Sequence, residues 1–451
     1  MASIVEQCEV APHSCATDKL TLPLTYFDMV WLNNQRVPRI LFYKLPIDKN
    51  SFIQKTIPTL KHSLSLTLKH YLPLAGNFVC PLNSTDHPEL RYVKGDSVSV
   101  TFSETDMDFD YLVSNDHPRN AKDIYHFVPH LTEPKDVLGV QFAPVLAIQV
   151  TLFPNHGISI CFINHHIVGD GCTIVGFIKS WALLNKYGGN DEFMMIPFYD
   201  RSIVKEPYGL KGLLWDEMKE HKSTADHVIL TPPDNIVRGT FIITRNEIEK
   251  LKNLISSRRP SLTHVTSYTV TCGYVWACLI KSEDTDTDHI IIDDNVMEYF
   301  SCTVDYRARF DPPLPSSYFG NCVVWYIVKT RHVDLVGNEG FIIAAESIGE
   351  TIHKRNKDKE YVLSGEWLNE DDHRFKSLSV AGSPKFDLYA TDFGWGRPEK
   401  WEFVSLQTGI LMSLIKSKDS NGDLEIGLSL PKTRMNAFAA IFTHGLEEFK
   451  I

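Results

Sequence analysis

Two mixed α+β domains are the fold predicted for this chain, on three observations. At 451 residues it is long for a single hydrophobic core, which points to two units of about 200 residues. Strand and helix patterns mix in both halves without the regular strand–helix succession of a parallel sheet. A run rich in turn formers, roughly 188–235, opens with GGNDEF and carries PFYDRS and KEPYGLKG, and reads as a long crossover between the halves. The predicted units are therefore 1–190, 191–235 and 236–451. No internal repeat is visible, though halves of similar size and content are compatible with a pseudo-duplicated fold.

In the first half, residues 20–46 read as an apolar stretch ending in a strand, Arg39 to Tyr43. A helix from Ser51 places Ile53, Ile57, Leu60, Leu64 and Tyr71 near one stripe, with Pro58 kinking it or sitting in its early turns. PLAG at 73–76 closes it. Leu90 to Lys94 and Ser97 to Phe102 are strands, whereas Asp106 to Asp110 and Leu131 to Val137 are loops. Val145 to Phe153 and the alternating Ile158, Ile160 and Phe162 form two more strands, each with one face in a core, joined by a turn at Pro154-Asn155-His156-Gly157. Beyond a polar turn, Ile174, Ile178, Trp181 and Leu184 fall at the spacing of one helical face, with Asp170 placed to cap that helix.

The second half opens with a strand, Gly239 to Ile243, and a basic helix, Arg245 to Ser257, followed by Arg258 and Arg259. A solvated helix face and a phosphate-binding rim both fit that helix. The long uncharged run Ser261 to Ile280 reads as a buried helix capped by Thr266 or Ser267. Strands near Glu298 to Val304, Cys322 to Val328 and Leu424 to Leu430 follow, and Met435, Phe438 and Phe442 mark a last amphipathic helix.

With 43% apolar and 22% charged residues the composition is that of an ordinary globular protein, and a net charge of −11 argues against nucleic acid or an anionic membrane as partner. Nine cysteines, an odd number without a CxxC pair, suggest neither a disulfide framework nor a structural zinc site, and a reduced, cytoplasmic compartment follows. The opening MASIVEQCEVAPHS has Glu6 and Glu9 but no basic start before an apolar core, so no secretory leader is expected.

The chemistry is expected at the turn HHIVGDG, residues 165–171, where a strand gives way to a helix. The spacing His-x-x-x-Asp is weak alone, and His289 with Asp293 repeats it in an acidic stretch, as a decoy. Paired histidines, a following glycine and the flanking elements single out His166, against the alternative of a satisfied structural histidine. Imidazole titrates near neutrality, so it can take a hydroxyl proton during attack on a carbonyl and return it to the leaving group. Asp170 then either orients the ring or faces away and holds the turn. Near the other end stands YATDFGWGRPEKWEF, residues 389–403, a rigid aromatic loop with an internal salt bridge predicted between Asp392 and Arg397.

Together, HHIVGDG and DFGWG resemble the plant BAHD acyltransferase family over essentially the whole chain, with PLAG at Pro73 and DYRARF at Asp305 in support. YFGNC, residues 318–322, and the runs LTLPLTYFDMVWL, RILFYKLP and VAGSPKFDLYA resemble the branch acting on phenolic and flavonoid glycosides, whose usual donor is malonyl-CoA. The resemblance implies a monomer of two chloramphenicol-acetyltransferase-like domains with an interface channel and the motif histidine at its middle. It implies an O-malonyltransferase with malonyl-CoA and a phenolic glucoside as substrates, acting at the sugar 6-hydroxyl, with no permanently bound cofactor, no metal and no acyl-enzyme.

In that reading His166 is the base, and Trp395 offers its indole N–H to the oxyanion. Asp170 points to Arg307 and is structural, as are Gly394 and Gly396, while Asp392 organises its loop or takes a catalytic part. Coenzyme A runs past Ser267, Tyr268, Thr269, Arg309, Gly382, Ser383 and Lys385, with Arg258 at the rim. The malonyl carboxylate needs a cation in a channel of low dielectric, for which Lys179, Arg39 and Arg201 are the candidates. The alternatives are a hydroxycinnamoyl or acetyl donor in the same family, a peptide-synthesis condensation domain, and a non-catalytic binding protein of this fold.

Overall fold

The computed structural model describes residues 2–14, 16–32, 36–81, 86–192, 194–206, 208–220, 234–283, 296–370, 377–404 and 410–448. Among these residues three sheets carry the fold. The first has six strands in the order Ser3–Val10, Val98–Glu104, Leu146–Phe153, Gly157–His165, Arg36–Lys44 and Lys400–Phe403. The second has seven, in the order Val323–Arg331, Met297–Asp305, Leu378–Ala381, Leu411–Lys416, Leu424–Pro431, Ile236–Ile243 and Arg119–Asn120. A smaller sheet joins Lys19–Pro23, Glu89–Val93, Asn77–Pro81, Val140–Pro144 and Lys135–Val137. Each sheet mixes elements from distant parts of the chain, as an α+β fold requires.

The halves exchange strands. Lys400–Phe403 pairs antiparallel with Arg36–Lys44 in the first sheet, and Arg119–Asn120 pairs with Ile236–Ile243 in the second. Chain position alone had assigned each of these strands to the opposite half. Where they cross lies a buried cluster of charges. Glu402 pairs with Arg119 at 2.5 Å and with Arg238 at 2.9 Å, and Lys400 reaches Glu425 at 3.0 Å. Tyr389 donates to the other oxygen of Glu425.

The central hairpin shows why its strands read as they do. Leu146 to Phe153 pairs with Gly157 to Asn164, closed by a tight turn in which Asn155 has φ of 63°. Every residue of both strands is buried, not one face only. Helix Gly171–Lys186 covers one face with Ile174, Phe177, Ile178 and Trp181, and an aromatic cluster of Phe42, Phe109, Phe127 and Phe153 fills the other.

Three local expectations change, and the choice left open at Pro58 falls to the early turn. The 106–110 loop includes the start of a short helix, Phe109–Val113, because Asp108 accepts from the Tyr111 amide and Phe109 and Leu112 turn into the core. Lys135–Val137 is an edge strand. Residues 49–70 run on helically through a π turn, Phe52–Thr56, which leaves Pro58 in the first turn of the α-helical part, where no amide is needed. The crossover carries a helix, Leu210–Glu220, that buries Leu210 and Trp215. His289 and Asp293 lie outside the described residues. Among the described residues no helix is long and apolar enough to cross a membrane.

Candidate active site

At the end of strand Gly157–His165 the backbone passes through one 3-10 turn, His166–Val168, and enters helix Gly171–Lys186. The two histidines take opposite parts. His165 is buried, and its Nδ1 accepts from the Ile167 amide, which shapes the turn. Burial, reinforced by the Arg36 charge, pushes it down to about 3 from an ordinary 6.5, so it is neutral at physiological pH. His166 keeps part of its surface open. Its ring stacks on Trp31, with centroids 3.6 Å apart and planes 15° from parallel.

Asp170 has no capacity left for a substrate. One oxygen caps the helix by accepting from the Cys172 and Thr173 amides. The pair of oxygens also accepts a two-pronged bond from Arg307, at 2.8 and 3.0 Å, and Oδ2 takes the Cys322 amide at 2.9 Å. Burial alone would lower the guanidinium pKa, but the Asp170 carboxylate more than offsets it and Arg307 is held firmly charged. The motif aspartate thus ties the first half of the chain to the second.

The segment YFGNC completes this tie. The Thr173 hydroxyl donates to the Gly320 carbonyl and accepts from the Gly320 amide. Gly320 adopts φ of +140°, and a side chain there would meet the Arg201 guanidinium at 3.0 Å, so only glycine fits. Asn321 donates from Nδ2 to the His166 carbonyl at 3.0 Å. Its amide and Nδ2 also reach Asp28 Oδ1 at 2.9 and 3.0 Å, and Asp28 is fully buried. Asp28, Trp31 and Asn321 went unassigned in the sequence. The one local signal was a lone acid inside the apolar run YFDMVWL, beside the asparagine of YFGNC.

The second motif lies elsewhere. Asp392 accepts from the Gly394 and Gly396 amides at 2.7 and 2.9 Å and pairs with Lys186, not with Arg397. Both glycines have positive φ, which the loop's curl around the carboxylate demands. Lys186 is the last residue of the 16-residue helix that begins beside His166, and at about 1.5 Å per residue that helix holds the motifs about 24 Å apart. Trp395 packs on Tyr43 and Phe393 at that far end. It therefore cannot donate to an oxyanion at His166, and Asp392 touches no reacting atom.

The other candidates separate by what they already hold. Arg201 forms a buried ion pair with Asp28 and is spent as a carboxylate clamp. Arg39 is buried in the sheet against Asn164 Oδ1 and the Phe403 ring, and burial pushes it down to about 10. Arg258 pairs at the surface with Glu339. Lys179 donates to the Phe386 carbonyl, a neutral group. The segment from Gly382 to Lys385 runs directly into Phe386, whose ring fills the space where Gly171 lacks a side chain, so this loop abuts the motif turn. Ser267, Tyr268 and Thr269 start helix Ser267–Glu283, which Thr266 caps by accepting from the Thr269 amide. Arg309 closes the turn after Arg307 and donates to the Asp305 carbonyl.

A partly exposed histidine at a strand–helix junction, with its motif aspartate closed into a bridge between two mixed-sheet halves, is no charge-relay pair of a hydrolase; with the family match that follows, the class is an acyltransferase. The chain matches the Transferase family over residues 2–444, and it belongs to that family, the BAHD acyltransferases. It is 64% identical to phenolic glucoside malonyltransferase 1 of Nicotiana tabacum, covering 99% of each chain. It is 39% identical to the malonyl-coenzyme:anthocyanin 5-O-glucoside-6'''-O-malonyltransferase of Salvia splendens, covering 98% of this chain and 94% of that one. Among solved structures vinorine synthase shares the fold, with a TM-score of 0.70 at 19% identity over 97% of this chain and 96% of that one.

Proposed function

We propose that this acyltransferase moves a malonyl group from malonyl-CoA to a sugar hydroxyl of a phenolic or flavonoid glucoside, the 6-hydroxyl by preference, with His166 as general base. The observation that carries the mechanism is the contrast within the motif: His166 keeps part of its surface exposed at the strand–helix junction, whereas Asp170 is buried and closed by five hydrogen bonds. The substrate class rests on the full-length likeness to the tobacco malonyltransferase.

The imidazole takes the proton of the sugar hydroxyl as its oxygen attacks the thioester carbonyl. The tetrahedral intermediate collapses by breaking the carbon–sulfur bond, and the imidazolium returns the proton to the departing coenzyme A thiolate. The malonyl ester forms in one exchange, with no acyl-enzyme, so none of the cysteines needs to act as nucleophile. The donor path in this reading runs along Ser267, Tyr268 and Thr269, past Arg309, to the loop Gly382, Ser383 and Lys385; that loop's contact with the motif turn supports it. Lys179 is the cation chosen for the malonyl carboxylate, because it sits beside this loop and its one hydrogen-bond acceptor is uncharged. The protein works as a cytoplasmic monomer in this reading.

Thiol release from malonyl-, acetyl- and coumaroyl-CoA with a phenolic glucoside tests the reading. Malonyl-CoA should be strongly preferred, and His166→Ala should lower kcat by about 100- to 10,000-fold without moving the melting temperature. A preference for coumaroyl-CoA would remove the malonyl assignment, and full activity of His166→Ala would remove the base. Lys179→Met should lower the preference for malonyl- over acetyl-CoA about 10- to 100-fold, the worth of one hydrogen bond to a charged group. An unchanged ratio would release Lys179 from that role.

A further inference from the structure

We propose that Trp31 is a positioning residue for His166, its indole setting the plane of the imidazole, with Asp28 and Asn321 holding the two rings in register; this rests on His166 as the base. A histidine at a turn has a broad second side-chain torsion, and proton abstraction requires one ring orientation. The stacked indole supplies that restraint and, being an electron-rich face, favours the imidazolium formed during the reaction.

Trp31 is itself wedged. Its indole meets Trp325 edge to face at 5.9 Å, and Trp325 meets Trp367 in the same manner at 4.3 Å. Its amide donates to the Asp28 carbonyl at 3.0 Å. The Asp28 carboxylate, fully buried, accepts from the amide and hydroxyl of Thr25, from the amide and Nδ2 of Asn321, and from Arg201, which neutralises it. Asn321 Nδ2 donates as well to the His166 carbonyl. One side chain therefore joins the backbone that carries the indole to the backbone that carries the imidazole. A core that only needed filling would not require a carboxylate, a guanidinium and an amide in this arrangement, since burying such groups is costly without full pairing.

The test is a double-mutant cycle measured with malonyl-CoA and a phenolic glucoside, with melting temperature and coenzyme A binding used to count folded sites. Trp31→Leu should lower kcat about 10- to 100-fold, as a small misplacement of a catalytic group does, and leave KM for malonyl-CoA within about two-fold. Trp31→Phe, which keeps a flat ring, should restore most of the rate. In a His166→Ala background Trp31→Leu should cost nothing further, because the indole acts only through the imidazole. An unchanged kcat, a loss carried by KM, or an equal loss in both backgrounds would each overturn the inference. If Trp31→Leu does not fold, Asn321→Ala replaces it: the ring stays and the strut goes, and an additive loss in the same cycle sinks the idea. Full activity of His166→Ala itself would instead overturn the base.

Discussion

Two adjacent histidines of identical chemistry do different work here because of a single step along the chain. His165 ends a strand buried on both faces and accepts a hydrogen bond from a backbone amide, whereas His166 enters the 3-10 turn and keeps part of its surface exposed. Asp170 is the residue whose part in the fold has the sharpest consequence. Removing its carboxylate takes the buried ion-pair partner from Arg307, leaving it only the half-exposed Asp305 and two backbone carbonyls, and strips the cap from the motif helix. Asp170→Ala should therefore cost about 3–5 kcal/mol of stability, the usual result of breaking a buried ion pair. Calorimetry reads this as a markedly lower melting temperature, with activity falling alongside. Loss of activity at an unchanged melting temperature would mean that Asp170 serves the chemistry directly.

At the scale of elements, helix Gly171–Lys186 is the frame on which both motifs hang. Its amino end is held by Asp170, Thr173 and the YFGNC segment, and its carboxyl end by the DFGWG loop through Lys186 and through Asn185, which donates to the Phe393 carbonyl. DFGWG thus holds the helix from about 24 Å away, too far to touch a group at His166. Asp392→Ala removes two backbone acceptor bonds and one half-exposed ion pair. It should lower stability by about 1–3 kcal/mol, while kcat and KM per folded molecule change by no more than a few-fold. Measuring both on the same preparation decides the matter, and a 100-fold loss of kcat at full stability would bring the loop back to the active site.

Across the whole molecule, the exchanged strands make the two halves interdependent, and the charges buried where they cross make that link sensitive to strong acid. Burial would raise the Glu402 carboxyl, but Arg119, Arg238 and Lys400 hold it down to about 2. A carboxyl whose folded value lies below its ordinary 4.5 contributes stability that is complete above that value and is lost as pH falls through about 2. Glu402→Gln should lower the urea midpoint at pH 7 by an amount corresponding to about 3–5 kcal/mol, and flatten the further loss on acidification in that window. A variant with the wild-type acid profile would show that the cluster is not what couples the sheets.

What was legible in the sequence was what local chemistry dictates. The alternation at Ile158, Ile160 and Phe162, the helical spacing from Ile174 to Leu184 and the cap at Asp170 are decided within a few residues of each other, and all three stand in the structure. Even there, burial of the hairpin on both faces depended on a distant aromatic cluster. The motif histidine was legible because its neighbours in the chain are also its neighbours in space. Trp31, Asp28 and Asn321 were not, because they reach His166 only after three separate segments fold together, and no periodicity records a contact of that kind. For the same reason the reading drawn from the resemblance put Trp395 beside the chemistry, and chain position put Lys400–Phe403 in the second half. The sequence by itself determined the central hairpin, the motif turn with its two histidines, and the helix that Asp170 caps. The tertiary structure alone decided which charges are already spent and which rings meet, because burial and pairing belong to the assembled core and not to any stretch of chain.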